Sequence, residues 1–234
     1  KLDNKATELS GGEMQRVSIG RALVRDPQIY LMDEPLSSLD AKLRADLRVE
    51  LKRIHADLGS TLLYVTHDQI EAMTMATHIG VLEEGRLVQY GTPKDIYRAP
   101  ANRFVAEFVG RNNILTGKVQ GTDQAGTRIA TPQGVFLASS PEALPKPGQE
   151  VSFAVSADLV TLSPDVPDTV NKAQATLISE EFIGSVVTLF FEGDDGQEFK
   201  VQMQERALMS LDLEPGTTVW LSWEPENANI LEAG

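Results

Sequence analysis

Two short apolar runs, Ile29-Tyr30-Leu31-Met32 and Thr61-Leu62-Leu63-Tyr64-Val65-Thr66, flank one amphipathic segment. The first run ends at Asp33-Glu34-Pro35 and the second delivers His67 and Asp68. Between them Leu43, Leu47, Leu51, Ile54 and Leu58 recur at helical spacing with charges in the gaps, the pattern of one buried helix face. Gly59 follows as a C-cap. Strand, helix, strand in that order predicts a parallel sheet, because parallel neighbours need a crossover long enough to carry a helix. Both runs are expected to be buried strands with their polar residues kept for the C-terminal end, where α/β folds place ligands.

Around this unit the N-terminal half continues in the same style. Ser10-Gly11-Gly12 followed by Glu13 and an apolar pattern to Leu23 reads as a capped helix start, and residues 69–76 read as another helix. Residues 78–82 and 86–90 around Glu83-Glu84-Gly85 predict a hairpin, with short helices over 93–97 and 102–108. After about Asn112 the pattern changes to short strands broken by Gly, Pro and Asp, an all-β region. One set of strands is expected at 116–120, 127–131, 134–138 and 150–155, another at 173–181, 185–192, 198–203 and 218–223. They suggest two similar modules, 112–166 and 170–234, because Gly148-Gln149-Glu150-Val151 and Gly216-Thr217-Thr218-Val219 fall at equivalent late positions. The Pro-rich segment Ser163 to Pro167 would be the joint.

Charge sharpens the division at 111/112. Residues 1–111 hold 15 Lys and Arg against 16 Asp and Glu, whereas residues 112–234 hold 6 against 18 and so account for −12 of the chain's net −13. A nucleic-acid footprint needs the opposite sign, so no nucleic-acid partner is expected. The absence of Cys excludes disulfides, thiolate zinc sites and cysteine nucleophiles. The longest apolar stretches, about five residues, fall far short of the ~20 that span a bilayer, so neither a transmembrane helix nor a signal peptide is expected.

Four pieces stand in order: Leu9-Ser10-Gly11-Gly12-Glu13-Met14-Gln15, the apolar strand ending in Asp33-Glu34, Ser38-Leu39-Asp40, and His67 after a strand. As a set they resemble the ATP-binding-cassette (ABC) ATPases, whose signature loop, Walker B strand, D-loop and switch histidine follow in that order. The resemblance implies an α/β fold, a P-loop NTPase-like parallel sheet with helices, over 1–111, and an all-β region of TOBE or OB-like barrels over 112–234. It implies ATP and Mg2+ as cofactors. Ser10, Gly11, Gly12 and Gln15 would contact nucleotide held mainly by the opposite subunit, Asp33 would reach Mg2+ through water, Glu34 would act as general base and His67 would hold the γ-phosphate. Asp40 would cross a dimer interface. A helix start with glycines suits phosphate on physical grounds, through its unpaired N–H groups and dipole, although taken alone it is more often a plain helix cap, and at Asp40 a cap reads equally well.

No G-x-x-x-x-G-K-[ST] occurs; the one Gly-Lys pair, Gly117-Lys118, is followed by Val119. The glutamine loop and the adenine-stacking aromatic of the family are also missing. Since the chain opens with Lys1, a fragment of a longer parent is expected, and by itself it should bind ATP poorly and hydrolyse none. Val65-Thr66-His67-Asp68-Gln69-Ile70-Glu71-Ala72-Met73 and Gly85-Arg86-Leu87-Val88-Gln89-Tyr90-Gly91-Thr92-Pro93 look like ATPases of bacterial importers of the maltose and polyamine type. That resemblance implies a homodimer on the cytoplasmic face of the inner membrane, with permease subunits and, indirectly, a solute-binding protein. The linker Phe108 to Leu115 lacks the Ser-Pro-x-Met-Asn of the maltose branch, whereas Tyr97 to Phe104 is common among sugar importers. Sugar or sugar phosphate stands slightly ahead of polyamine, iron or opine as the solute. Two alternatives stay open: a soluble, non-transport ABC ATPase, and a sensor module attached to a non-catalytic cassette remnant.

Overall fold

Alternation decides how the first strand pair sits. In the computed structural model, which describes residues 9–25, 27–139, 144–211 and 213–232, β1 (Ile29–Asp33) and β2 (Thr61–Val65) run parallel, from Ile29 opposite Thr61 to Asp33 opposite Val65. Tyr30 and Met32 are buried and share the lining of a cavity of about 10 Å³ with Leu51, Ile54 and His55 of the intervening helix α2 (Ala41–Leu58). On the other face Ile29, Leu31, Leu63 and Val65 are 51–75% exposed. The expected wholly buried strands are therefore half-buried, because one helix covers one face of a pleat and the described residues cover no more. His55, on the helix face turned to β1, is half-buried beside Tyr30 and Met32. Lys1 and the side chain of Leu58 lie outside the described residues.

Two further helices complete this unit. Helix α1 (Gly11–Leu23) starts at Ser10 in a capping box, and α3 (Gln69–Met75) starts at Asp68. Leu36, Leu39 and Leu51 form its small core, with Ile19, Leu43, Leu47 and Met75 packed against them. Gly59 ends α2 in the left-handed conformation at φ 62°, as its sequence position predicts.

The chain divides into two compact units, Lys1–Thr77 and His78–Gly234, so the division falls well before the expected 111/112. The hairpin β3 (Ile79–Glu83) and β4 (Arg86–Gly91) and helices α4 (Pro93–Arg98) and α5 (Arg103–Val109) belong with the β-rich part. Packing explains this. Ala106 of α5 is buried against Ala154 and Leu231, the Asn112 amide donates to the Ala106 carbonyl at 2.7 Å, and the Tyr97 hydroxyl donates to Asp158 at 3.3 Å.

The strands that follow are β5 (Asn112–Asp123), β6 (Gly126–Thr131), β7 (Gly134–Ala138), β8 (Glu150–Ser156) and β9 (Thr161–Ser163), then β10 (Asn171–Ile183), β11 (Val186–Glu192), β12 (Glu198–Gln204), β13 (Thr218–Trp223) and β14 (Ala228–Ile230). They form two five-stranded sheets ordered β14-β8-β5-β6-β7 and β12-β11-β10-β13-β9. Each half thus lends its last strand to the other: β9 pairs with β13, and β14 pairs with β8. The turns match bond for bond. Gly148 and Gly216, at φ 82° and 94°, donate at 2.7 Å to the carbonyls of Val119 and Leu177, residues that sit at the bulges of β5 and β10.

Two buried asparagines repeat the relation. Asn113 on β5 accepts from the Lys200 N–H at 2.6 Å and donates to its carbonyl at 2.9 Å; Asn171 on β10 does the same to Leu137 at 2.7 and 2.8 Å. Each amide therefore satisfies a backbone pair on the third strand of the opposite half. One core fills both sheets, with Phe136, Phe153, Phe191, Phe199 and Trp223 in it, whereas Trp220 is half-buried.

Gly117, half of the lone Gly-Lys pair, is a packing glycine. A Cβ there would lie 2.3 Å from the Ala130 carbonyl oxygen. Gly117→Ala should therefore destabilise the protein by about 2 kcal/mol or more through a backbone collision, measured by denaturant unfolding. Asn171→Leu should cost about 2–4 kcal/mol in the same measurement, because it leaves a buried N–H and a buried carbonyl of Leu137 without partners.

Candidate functional site

The C-terminal ends of β1 and β2 bring the candidate residues together. Asp33 closes β1 opposite Val65, with its side chain exposed. Glu34 follows in the left-handed region at φ 42°, a conformation that costs a residue with a Cβ roughly 1–2 kcal/mol. Hydrogen bonds hold it there. Its N–H donates to the Val65 carbonyl at 2.9 Å, and its carbonyl accepts from the Ser37 hydroxyl at 2.9 Å and the Gln15 amide at 3.1 Å. The twist turns the Glu34 carboxylate toward the β2 end, where His67 Nδ1 lies 3.0 Å from Glu34 Oε1. Both side chains are open to solvent, at 73% and 45% exposure.

This contact sets the state of the histidine. The hydrogen bond from His67 to Glu34 and the Glu34 charge raise the imidazole pKa above its ordinary 6.5, with smaller help from Asp68 and Glu71. The imidazolium therefore persists to higher pH beside Glu34.

Helix α1 supplies the rest. Gly11 and Gly12 are its first two residues, positions whose N–H groups have no acceptor within a helix. The Ser10 hydroxyl accepts from Glu13 N–H, and the Glu13 carboxylate takes the Ser10 N–H at 2.9 Å and hydroxyl at 3.0 Å. Space at the two glycines differs. A Cβ on Gly12 would meet Leu39 Cδ2 at 2.9 Å, whereas one on Gly11 would meet nothing within 4 Å. Gly12 thus lets the 37–40 segment close against the helix, and Gly11 leaves its backbone open. Gln15 reaches the same segment through both ends of its amide, to the Glu34 carbonyl and to the Ser38 hydroxyl. Asp40 caps α2, accepting from Leu43 N–H at 3.0 Å.

No group of three or more His, Cys, Asp or Glu able to hold a metal exists among the described residues. One exposed carboxylate at Asp33 fits a Mg2+ that keeps its waters and arrives on phosphate rather than a cation caged by protein.

Beneath these residues lies a polar layer that sequence reasoning missed. Glu71 is 2% exposed, and its carboxylate accepts from the Tyr64 hydroxyl at 2.9 Å and the Thr66 hydroxyl at 2.8 Å. Thr66 in turn accepts from Asp68 N–H at 3.0 Å. Burial, with the bond to Glu71 and its charge, pushes the Tyr64 phenol above its ordinary 10.0. An Asp after a strand signals a helix cap, but nothing local marks Glu71 as buried.

Comparison with known proteins now bears on the identity of these loops. Residues 1–37 match the ABC transporter family model and residues 159–231 the TOBE domain model. A spermidine/putrescine import ATP-binding protein of Thermobifida fusca is 41% identical over 97% of this chain and 59% of its own length. A maltose/maltodextrin import ATP-binding protein of Shigella flexneri is 37% identical over 98% of this chain and 62% of its own. Over nearly its whole length the chain is similar to ABC-type import ATP-binding proteins. It spans about 60% of the length of these curated relatives. A xylose/arabinose import ATP-binding protein of Haloferax volcanii reaches 57% identity over 51% of this chain and 32% of its own. Among solved structures, the cytoplasmic molybdate-binding protein ModG matches 52% of this chain and 96% of its own, at 19% identity and TM-score 0.47. The TOBE match runs from just before β9 to just after β14, and thus takes in the whole second sheet.

In the first unit the raised pKa of His67 has a definite sign. A histidine favoured as imidazolium in the fold contributes stability below its unfolded value near 6.5, and loses that contribution as pH rises through the folded value. Glu34→Gln should bring the His67 midpoint down toward its ordinary 6.5 in an NMR titration of the imidazole.

Proposed function

We propose that the protein containing this chain is the ATP-hydrolysing subunit of a bacterial ABC importer. The observation that supports this most is the Glu34–His67 contact of 3.0 Å at the ends of two parallel strands, next to the Asp33 carboxylate. Bound ATP with its Mg2+ would supply the phosphoanhydride bond and neutralise the charge developing on it. Asp33 would hold the cation through water. Glu34, its Oε1 bonded to His67, would take the proton of the attacking water with its remaining oxygen, and His67 would donate to a γ-phosphate oxygen while keeping Glu34 in place. Ser10, Gly11 and Gly12 would meet the phosphate of nucleotide carried by a second subunit, with Gln15 fixing the adjoining loop.

A homodimer follows from that division of labour, and Asp40, at the start of α2, would lie at its interface. Permease subunits are the proposed membrane partners, with a solute-binding protein acting through them, and the protein would sit peripherally on the cytoplasmic face of the inner membrane. Among the described residues no helix is long and apolar enough to cross a membrane. For the solute we propose a sugar or sugar phosphate, with polyamine the rival, since relatives named for both kinds of import align with this chain. The acidic β-rich part would take regulatory contacts rather than bind nucleic acid, as its charge of −12 favours.

The test is Glu34→Gln in the full-length protein, read as phosphate release and nucleotide binding in parallel. Hydrolysis should fall at least ~100-fold with ATP binding retained, the scale expected for loss of a general base. Turnover at the unaltered rate would remove Glu34 from that role. The 234-residue chain by itself should release no phosphate.

A further inference from the structure

Two of the loops that carry candidate residues come from different strands: residues 37–40 follow β1, and residues 66–68 follow β2. One side chain bonds to both. Arg44, on the first turns of α2, directs Nη1 to Asp68 Oδ2 at 3.3 Å, and Nη2 to the Leu39 carbonyl at 3.0 Å and the Ser37 carbonyl at 3.5 Å. Its side chain is 31% exposed and Asp68 23%, so the pair is shielded in part from water. Arg44 Nε is buried with no hydrogen-bond partner, which places the guanidinium by its forked end alone.

Asp68 is fixed on both oxygens. Its Oδ1 accepts from Glu71 N–H at 3.1 Å while Oδ2 faces Arg44. Burial opposes its ionisation, but the N–H groups of Glu71 and Ile70 together with Arg44 and Arg48 outweigh burial and hold the carboxyl below its ordinary value. His67 precedes it directly. On the other side, the carbonyls that Arg44 holds bracket Ser38, whose hydroxyl bonds to Gln15 of α1, and lead into Asp40.

We infer that Arg44 is a positioning residue that makes the 37–40 loop and the His67 loop respond as one body. The role rests on the reading of these loops as a nucleotide site, but the coupling itself does not require that reading. The fork matters: a lysine ammonium is a point charge on a flexible stem and cannot hold a carboxylate and two carbonyls in one plane. Each loop alone has other anchors, Asp40 on Leu43 and Asp68 on Glu71, so loss of Arg44 should uncouple the loops without unfolding either.

The experiment is NMR on the 234-residue chain, reading backbone amides together with the imidazole nitrogens. Asp68→Asn, which removes the charge at one end of the fork, should shift the amides of Ser38, Leu39 and Asp40. Arg44→Met should shift those amides and the His67 Nδ1 resonance together, with residues 112–232 unmoved as a control for folding. Arg44→Lys should fail to restore both loops at once. Amides 38–40 unmoved by Asp68→Asn, a His67 resonance unmoved by Arg44→Met, or full restoration by Arg44→Lys would each overturn the inference. In the full-length protein, Arg44→Lys should lower kcat for ATP about tenfold with KM within twofold. Coupled spectra in a full-length protein that hydrolyses no ATP would leave the coupling standing and remove the nucleotide reading.

Discussion

The peptide of Glu34 is where the chain segments of the first unit meet. Its N–H completes the β1–β2 ladder by reaching Val65, and its carbonyl is shared by Ser37 and by Gln15 of α1. A left-handed residue that is not glycine is costly, and these bonds offset the cost. What the arrangement achieves is direction. A right-handed continuation of the strand would carry the carboxylate along the line of β1, whereas the turn at φ 42° sends it toward His67. Position, charge and proton state at the strand ends thus follow from one backbone geometry.

The second unit is organised by reciprocity. Each half holds the other through a buried asparagine on its first strand and completes the other's sheet with its last strand. A buried amide that found no partner would cost about 1–3 kcal/mol, so these bonds also exclude any slip between the halves that would break them. The bulges and left-handed glycines at matching places carry the same relation into the turns.

Much of this was legible in the sequence, for reasons that can be named. The order of strands and helices follows from apolar runs, caps and glycines, which act locally. Asp33-Glu34 and His67 could be placed together from the sequence, because each follows an apolar run and the ends of parallel neighbours lie side by side. Long-range pairings were not legible. Nothing near Arg44 announces Asp68 at 24 residues' distance, and Asn113 finds Lys200 across 87. The open faces of β1 and β2 were misread as buried because composition reports how apolar a run is and not how many layers cover it. The division at 111/112 followed charge, whereas the division at 77/78 follows packing, and the Ala106–Ala154–Leu231 contact shows why the two differ.

The exchanged strands β9 and β14 have a consequence for how the β-rich part responds to load. A sheet whose edge belongs to the other half cannot open locally without exposing unpaired backbone in both, so neither half yields before its neighbour. Separating the halves would therefore mean withdrawing β9 from β13 and β14 from β8 together. With one core shared between them, the two halves form a single unit of unfolding and not two beads on a string.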